Sequence, residues 1–429
     1  MNYRDMVVGV DALIPLKSGQ YVRGINFDNA ATTPPFKPVL EAVVEFSPWY
    51  SSIHRGTGYK SRFSAELYDK ARAEVLRFVG ADPNYYTAIF VKNTTEAINK
   101  LSYRLCNKTK KCTVLSTSME HHSNDLPWRD KYDIDYIDIN DDGTLSMEDM
   151  KLKLKKYENE VKLAAVTGAS NVTGAKNPIY DIARLCHENG VRLLVDGAQL
   201  VPHSPINMGK PGDPDNIDFL AFSGHKMFAP FGTGVLIGPK EVFMNGAPDY
   251  VGGGTVKYVT HDYVGWDEPP EKEEAGSPNV IGAVALMASI RTLNNLGMKN
   301  IESHERQLTA YALERLKEIP EIVLYDAVPV ENRVGIIPFN IKGIPYDKTS
   351  VLLSDIGGIA SRCGCFCAQP YVQRLLRLSP EQVKNYINNP EIKRPGMVRI
   401  SFGLYNTIQE IDIFVRVLKK IIQGNGISL

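Results

Sequence analysis

The sequence predicts an α/β protein: a large domain on a mostly parallel, mixed sheet, followed by a smaller α+β domain at the C-terminal end. Three observations predict it. Short β-branched runs alternate with amphipathic helical segments over the first two-thirds of the chain. Polar residues cluster directly after five of those runs, and the alternation gives way near Val280 to two long helical stretches.

In chain order, the strand candidates are residues 86–91, 113–117, 134–139, 163–167, 191–195, 219–222 and 234–238. Helices are expected between several of them, for example 64–78 closed by Gly80 and 179–187 closed by Gly190, since glycine after the last periodic residue is a helix stop. Beyond Val280 the pattern gives helices over 280–296 and 298–319, short strands within 322–340, and a closing helix from Thr407 to Gln423. The expected organisation is an N-terminal segment (1–25) packing on the small domain, a large domain (26–290) and a small domain (291–429) carrying a cysteine loop.

Composition narrows the function classes. A chain of 429 residues with 43% hydrophobic and 23% charged residues has the make-up of a folded, water-soluble protein. Lys+Arg and Asp+Glu both count 49, so no overall field favours nucleic acid or an anionic membrane. No apolar run approaches the roughly 20 residues needed to cross a bilayer. Residues 1–17 lack a cleavable secretory pattern, and a cytoplasmic location is expected. Six cysteines in this length do not make a disulfide scaffold. Cys106, Cys112 and Cys186 read as scattered packing thiols, whereas Cys363, Cys365 and Cys367 fall within five residues of one another.

The polar clusters are Thr94-Thr95-Glu96, Glu120-His121-His122, Ser170-Asn171, Asp196-Gly-Ala-Gln199 and Ser223-Gly-His225-Lys226. Ligands of open parallel sheets bind outside the carboxyl ends of the strands, so clusters at five such ends converge on one site. Each residue type suits one task around an aldehyde cofactor. Lys226 can form an imine, with Ser223 and His225 beside it. Asp196 can pair with a pyridinium nitrogen, and Gln199 can hydrogen-bond a ring hydroxyl. Thr94 and Thr95 open a helix whose N–H groups suit a phosphate. His121 can lie on the ring and handle protons.

Beyond these clusters, a longer series of segments keeps one order along the chain: Phe27-Asp-Asn-Ala-Ala-Thr-Thr-Pro34, His54-Arg-Gly56, Thr94-Thr-Glu-Ala-Ile-Asn99, Met119-Glu-His-His-Ser-Asn124, Val195-Asp-Gly-Ala-Gln199, Phe222-Ser-Gly-His-Lys226, Glu274-Ala-Gly-Ser-Pro-Asn279, Arg362 to Pro370, and Arg399-Ile-Ser. With these the chain resembles the class V aminotransferase-fold enzymes that use pyridoxal 5'-phosphate, and within them the cysteine desulfurase and selenocysteine lyase group. The resemblance runs from about Asn26 to Asn406. It implies a fold type I homodimer with a shared active site, in which Ser277 reaches the phosphate bound by the neighbouring subunit. It also implies that Asn171, Arg362 and Arg399 hold the substrate carboxylate, a task suited to the planar guanidinium fork.

Arg362-Cys-Gly-Cys-Phe-Cys-Ala-Gln-Pro370 looks like the loop of group II desulfurases, with Cys367 at the nucleophile's position. The resemblance therefore implies conversion of cysteine (or selenocysteine) to alanine through a persulfide on Cys367, with a sulfur-acceptor protein as a partner. The alternative is another class V reaction, as in an aminotransferase, racemase or C–S lyase, because the fold alone does not choose a substrate. The chain departs from the pattern in two places. Cys363 and Cys365 are extra thiols, and Thr57-Gly58-Tyr59 lacks a histidine that resembling desulfurases often carry.

Two metal readings are set aside on sequence grounds, leaving no metal site expected. Asp138-Ile-Asn140-Asp-Asp142-Gly143 approaches a calcium loop but has Asp149 where a bidentate Glu is needed, and a strand-like run where a helix should precede it. A helix capped by Ser146 accounts for it better. The alternate spacing of the three cysteines points neighbouring thiols to opposite sides, unlike the two-residue gaps of zinc and iron–sulfur sites or of a metal-binding relay.

Overall fold

Among the described residues, the central sheet has seven strands: β1 (Tyr86–Val91), β2 (Thr113–Thr117), β3 (Asp133–Ile137), β4 (Val161–Thr167), β5 (Arg192–Asp196), β6 (Phe219–Ser223) and β7 (Gly234–Pro239). A computed structural model describes residues 3–105, 112–325 and 327–424, so Cys106 lies outside the described residues. The strand order is β1-β7-β6-β5-β4-β2-β3. β7 runs antiparallel to both neighbours and the other strands share one direction, which makes the sheet mixed but mostly parallel.

Burial on both faces explains why the inner strands read as near-continuous apolar runs, whereas β3, at the sheet edge, is only partly buried. Along β4, Leu163 and Ala165 pack into one hydrophobic cluster while Ala164 and Val166 pack into another. β5 repeats the split, with Leu194 on one face and Leu193 and Val195 on the other. The first cluster is closed by Ala97, Ile98 and Leu101 of helix Thr94–Leu105. The second is closed by Ile179, Ile182, Ala183 and Cys186 of helix Ile179–Glu188 and by helix Val280–Leu296. The glycine stops behave as expected: Gly80 and Gly190 take φ of 63° and 66°, a region glycine enters without steric cost.

A second sheet, antiparallel throughout, comprises β8 (Ile322–Leu324), β9 (Ile336–Ile341), β10 (Arg362–Gly364) and β11 (Met397–Ser401), in the order β8-β9-β11-β10. Helix Ile408–Gln423 packs on it through Ile411, Phe414, Val415 and Leu418. A capping box between Thr407 and Glu410 starts that helix. Ser146 caps helix Met147–Lys156 through the Asp149 N–H, so the acidic segment before it is a turn that opens a helix.

The expected boundary at 290/291 needs correction. It falls inside helix Val280–Leu296, whose Ile290, Leu293 and Leu296 all pack in the same large cluster. The chain turns instead at Gly297, at φ 84°, into helix Met298–Lys317. At the N-terminal end, Arg4 pairs with Glu410 at 2.6 Å, and Lys17 N–H donates to Asp355 O at 3.3 Å. The segment also touches the large unit, where Val8 N–H donates to Pro35 O at 3.0 Å. Ile25–Asn26 pairs in parallel with Ile359–Ala360, and Asp28 bridges to Ser401, so residues 25–28 belong beside the second sheet. Among the described residues no single helix is long and apolar enough to cross a membrane.

Candidate active site

Strand direction fixes the site. The carboxyl ends of β1, β6, β5, β4 and β2 lie along one edge, and the loops after them carry the polar clusters. Together with residues of the second sheet they line a pocket of about 310 Å³. Thr94, Thr95, His121, Asn171, Asp196, Gln199, Ser223, His225, Lys226, Arg362, Cys367 and Arg399 all face it. Ser277 is the exception: it is exposed and lies off this pocket.

Asp196 ends β5 and is 4% exposed. Burial pushes its carboxyl up, while the Ala198 N–H (3.0 Å) and the charge of Lys226 pull it back. Lys226 ends a tight turn, Gly224–Lys226, directly after β6. Gly224 is required there, because a Cβ would stand 2.9 Å from Thr233 O. Burial lowers the Lys226 amine to about 8 against the opposing pull of Asp196, so a usable fraction is neutral near neutrality. Gln199 donates to Ala30 O at 2.7 Å, and its buried Oε1 has no partner among the described residues, leaving an acceptor for a hydroxyl.

Helix Thr94–Leu105 aims its N-terminus at the pocket. Thr94 N–H donates to Ser223 Oγ at 2.8 Å, and Thr95 Oγ1 lies 2.7 Å from Ser123 Oγ. His121 accepts the Ser123 N–H on Nδ1 at 3.1 Å, which leaves Nε2 to carry the proton of a neutral ring. Burial first, then Lys226, hold His121 down at about 3; burial and Lys226 hold His225 at about 4. Both rings are therefore neutral at pH 7. Glu120 is buried beneath this loop and accepts from Thr117, Asn124 and the Thr167 N–H at 2.6, 2.7 and 2.8 Å. Burial raises it to about 8.

The second sheet supplies the opposite wall. Arg362 on β10 and Arg399 on β11 are direct cross-strand partners. Arg399 is 3% exposed, donates to Asn171 O at 2.7 Å, and stacks over the Phe366 ring at 5.0 Å. Burial pulls its guanidinium down to about 10. After β10 the chain makes a turn closed by Ala368 N–H to Cys365 O at 2.9 Å, with Phe366 and Cys367 both left-handed at φ 52° and 54°. Two consecutive non-glycine residues in this region cost about 1 kcal/mol or more each, which their surroundings must offset. Asn171 Nδ2 donates to Phe366 O at 2.7 Å, His122 N–H donates to Cys367 O at 2.7 Å, and Gln369 N–H donates to His122 Nε2 at 3.3 Å. Cys367 is exposed into the pocket, whereas the half-buried Cys365 donates to Pro395 O at 3.4 Å.

The structure adds residues to which sequence reasoning gave no role. Ser123 orients His121, Glu120 ties β2 to β4, Phe366 supports Arg399, and Asp28 pairs with both arginines, at 2.6 Å to Arg362 and 3.3 Å to Arg399. Asp28 and its partners are hundreds of residues apart in sequence, so no spacing could have revealed them.

The class V aminotransferase family model matches residues 25–414. The chain belongs to the class V aminotransferase family. A probable cysteine desulfurase of Halalkalibacterium halodurans is 35% identical over 405 residues, covering 92% of each chain. A cysteine desulfurase of Haloferax volcanii is 32% identical over 399 residues, covering 91% of this chain and 88% of the relative. Among solved structures, a cysteine desulfurase of Thermococcus onnurineus superposes with a TM-score of 0.83 at 31% identity, covering 94% of this chain and 95% of that one. Class V aminotransferases and cysteine desulfurases are pyridoxal phosphate-dependent, and the donor set here suits that group. A buried carboxylate, an unpartnered amide oxygen, a helix N-terminus and a partly neutral lysine surround one pocket.

Proposed function

We propose that this class V aminotransferase-family protein is a pyridoxal phosphate-dependent cysteine desulfurase, converting L-cysteine to L-alanine and leaving a persulfide on Cys367. The observation that carries the reading is the placement of Lys226 and Cys367 on facing walls of one pocket, with Asp196 beside the lysine and paired arginines beside the thiol.

Lys226, Asp196, Gln199, Ser223, Thr94, Thr95, His121 and His225 would hold the cofactor, and Ser277 would reach the phosphate bound by a second subunit. When bound, pyridoxal phosphate supplies an electron sink for the bonds at the substrate's Cα. Asp196, kept from water, favours a protonated nitrogen on whatever ring it faces. Arg362 and Arg399 orient the α-carboxylate. Lys226, its amine lowered to about 8 by burial so that a fraction is neutral, accepts the Cα proton and returns it to the product. His121, a neutral ring with its proton on Nε2, would offer that N–H as a hydrogen-bond donor to the bound group it faces. Cys367 attacks the substrate sulfur as a thiolate. The C–S bond breaks, an S–S bond forms, and the carbon that loses sulfur gains a proton. Cysteine and thiol thus become alanine and persulfide with atoms balanced.

The turn geometry is consistent with the role of Cys367, which stands on a left-handed backbone and lines the pocket. Incubation with L-cysteine, with alanine quantified and the 362–370 peptide analysed by mass spectrometry, tests the reading. The expected result is stoichiometric alanine and a mass increase of one sulfur on Cys367. Turnover of another amino acid with none of cysteine would overturn it.

A further inference from the structure

The two arginines of the carboxylate wall are opposed across the β10–β11 pair, Arg362 against Arg399. Like charges placed directly opposite on neighbouring strands repel. Asp28 lies against both of them. Its Oδ2 meets Arg362 Nη2 at 2.6 Å, and its Oδ1 lies 3.3 Å from Arg362 Nε and 3.3 Å from Arg399 Nη2. The backbone holds Asp28 there. Its bridge to Ser401 sets it two residues along from Arg399, and its N–H donates to Asn26 Oδ1 at 3.0 Å. Arg399 is further committed to Asn171 O, but its buried Nε has no partner among the described residues. Two cations and one anion leave this wall with a single positive charge.

We propose that Asp28 is a specificity-determining residue: it sets the carboxylate subsite to one net positive charge, matching amino acids with one carboxylate and an uncharged side chain. An amino acid with a second acidic group would bring two negative charges to one. Asp28 also positions the guanidinium of Arg362, which is half-exposed and would otherwise be free to swing into solvent. The inference rests on the proposed binding of an amino acid in this pocket. A unit charge a few ångströms from a partly exposed site changes binding by about tenfold, and salt weakens the effect.

The test is a spectroscopic titration of cofactor-loaded protein with L-alanine and with L-cysteate, at low and high salt. In Asp28→Asn the ratio of Kd for cysteate to Kd for alanine should fall about tenfold, less so at high salt. Asp28→Glu, which keeps the charge, should keep the wild-type ratio. Arg362→Gln, which takes the sum to zero, should raise the ratio, and this arm decides the matter if Asp28→Asn does not take up the cofactor. A ratio unchanged in Asp28→Asn with normal cofactor absorbance, or lowered in Arg362→Gln, overturns the charge assignment while leaving the functional reading intact. Wild-type protein that binds cofactor but responds to no amino acid overturns both.

Discussion

The floor and the roof of the pocket are built on opposite plans. On the floor, Asp196, Gln199, Ser223 and Thr94 are each 5% exposed or less, and each sits at a strand end or within three residues of one. On the roof, Cys367 and Arg362 are exposed, and the cysteine stands on a turn with two left-handed residues. The floor is held by the sheet itself. The roof is held by braces from Asn171, His122 and Asp28, which lie far away in sequence. The proposed function accounts for the difference: a cofactor would need a fixed cradle, whereas a nucleophile that must reach a substrate would need an accessible perch.

The largest expected effect falls on the floor. Lys226→Ala should lower alanine formation by about 10⁴-fold, since both the cofactor anchor and the proton carrier are lost. The protein should also lose its long-wavelength absorbance on dialysis. On the roof, Cys367→Ser should cut alanine formation by roughly a hundredfold or more, because a hydroxyl is a poor sulfur nucleophile, yet leave the absorbance unchanged. Equal loss of absorbance in both variants would break the distinction between floor and roof.

A smaller effect tests the braces. Asn171→Ala removes the hydrogen bond to Phe366 O, about 1 kcal/mol, and should lower kcat/KM for cysteine by roughly tenfold with cofactor affinity little changed. The smallest effect concerns the imidazoles. His121 and His225 are held at about 3 and about 4, below the usual 6.5. The unfolded chain therefore takes up protons that the fold refuses as pH drops from 6.5. Stability from these groups is present above that pH and is lost as pH falls through the folded values. His225→Gln should show a shallower decline in Tm between pH 7 and pH 4.5, by roughly 2 °C over that interval. Parallel declines in variant and wild type would show that His225 titrates normally.

The floor was legible in the sequence because its signals are local. Apolar runs of strand length, glycine stops and a polar cluster after each run lie within short windows, and their recurrence at five strand ends located the pocket. Helix ends with side-chain caps, such as Thr407 and Ser146, were legible for the same reason. The roof's residues were placed by resemblance to a family, since nothing in the spacing of Arg362, Cys367 and Arg399 brings them to the strand ends.

The sequence by itself therefore determined the layer architecture, the order of the strand-end clusters and the residue types that line the pocket at those ends. These follow from side-chain periodicity and backbone preference, which act over a few residues. Tertiary structure alone decided that β7 runs against its neighbours, that one helix crosses 290/291 unbroken, that Phe366 and Cys367 adopt a left-handed turn, and that Asp28 joins two arginines. Each of these depends on partners brought together by strand pairing and burial across long separations in the chain, where the free energy of the whole fold overrides what any segment prefers.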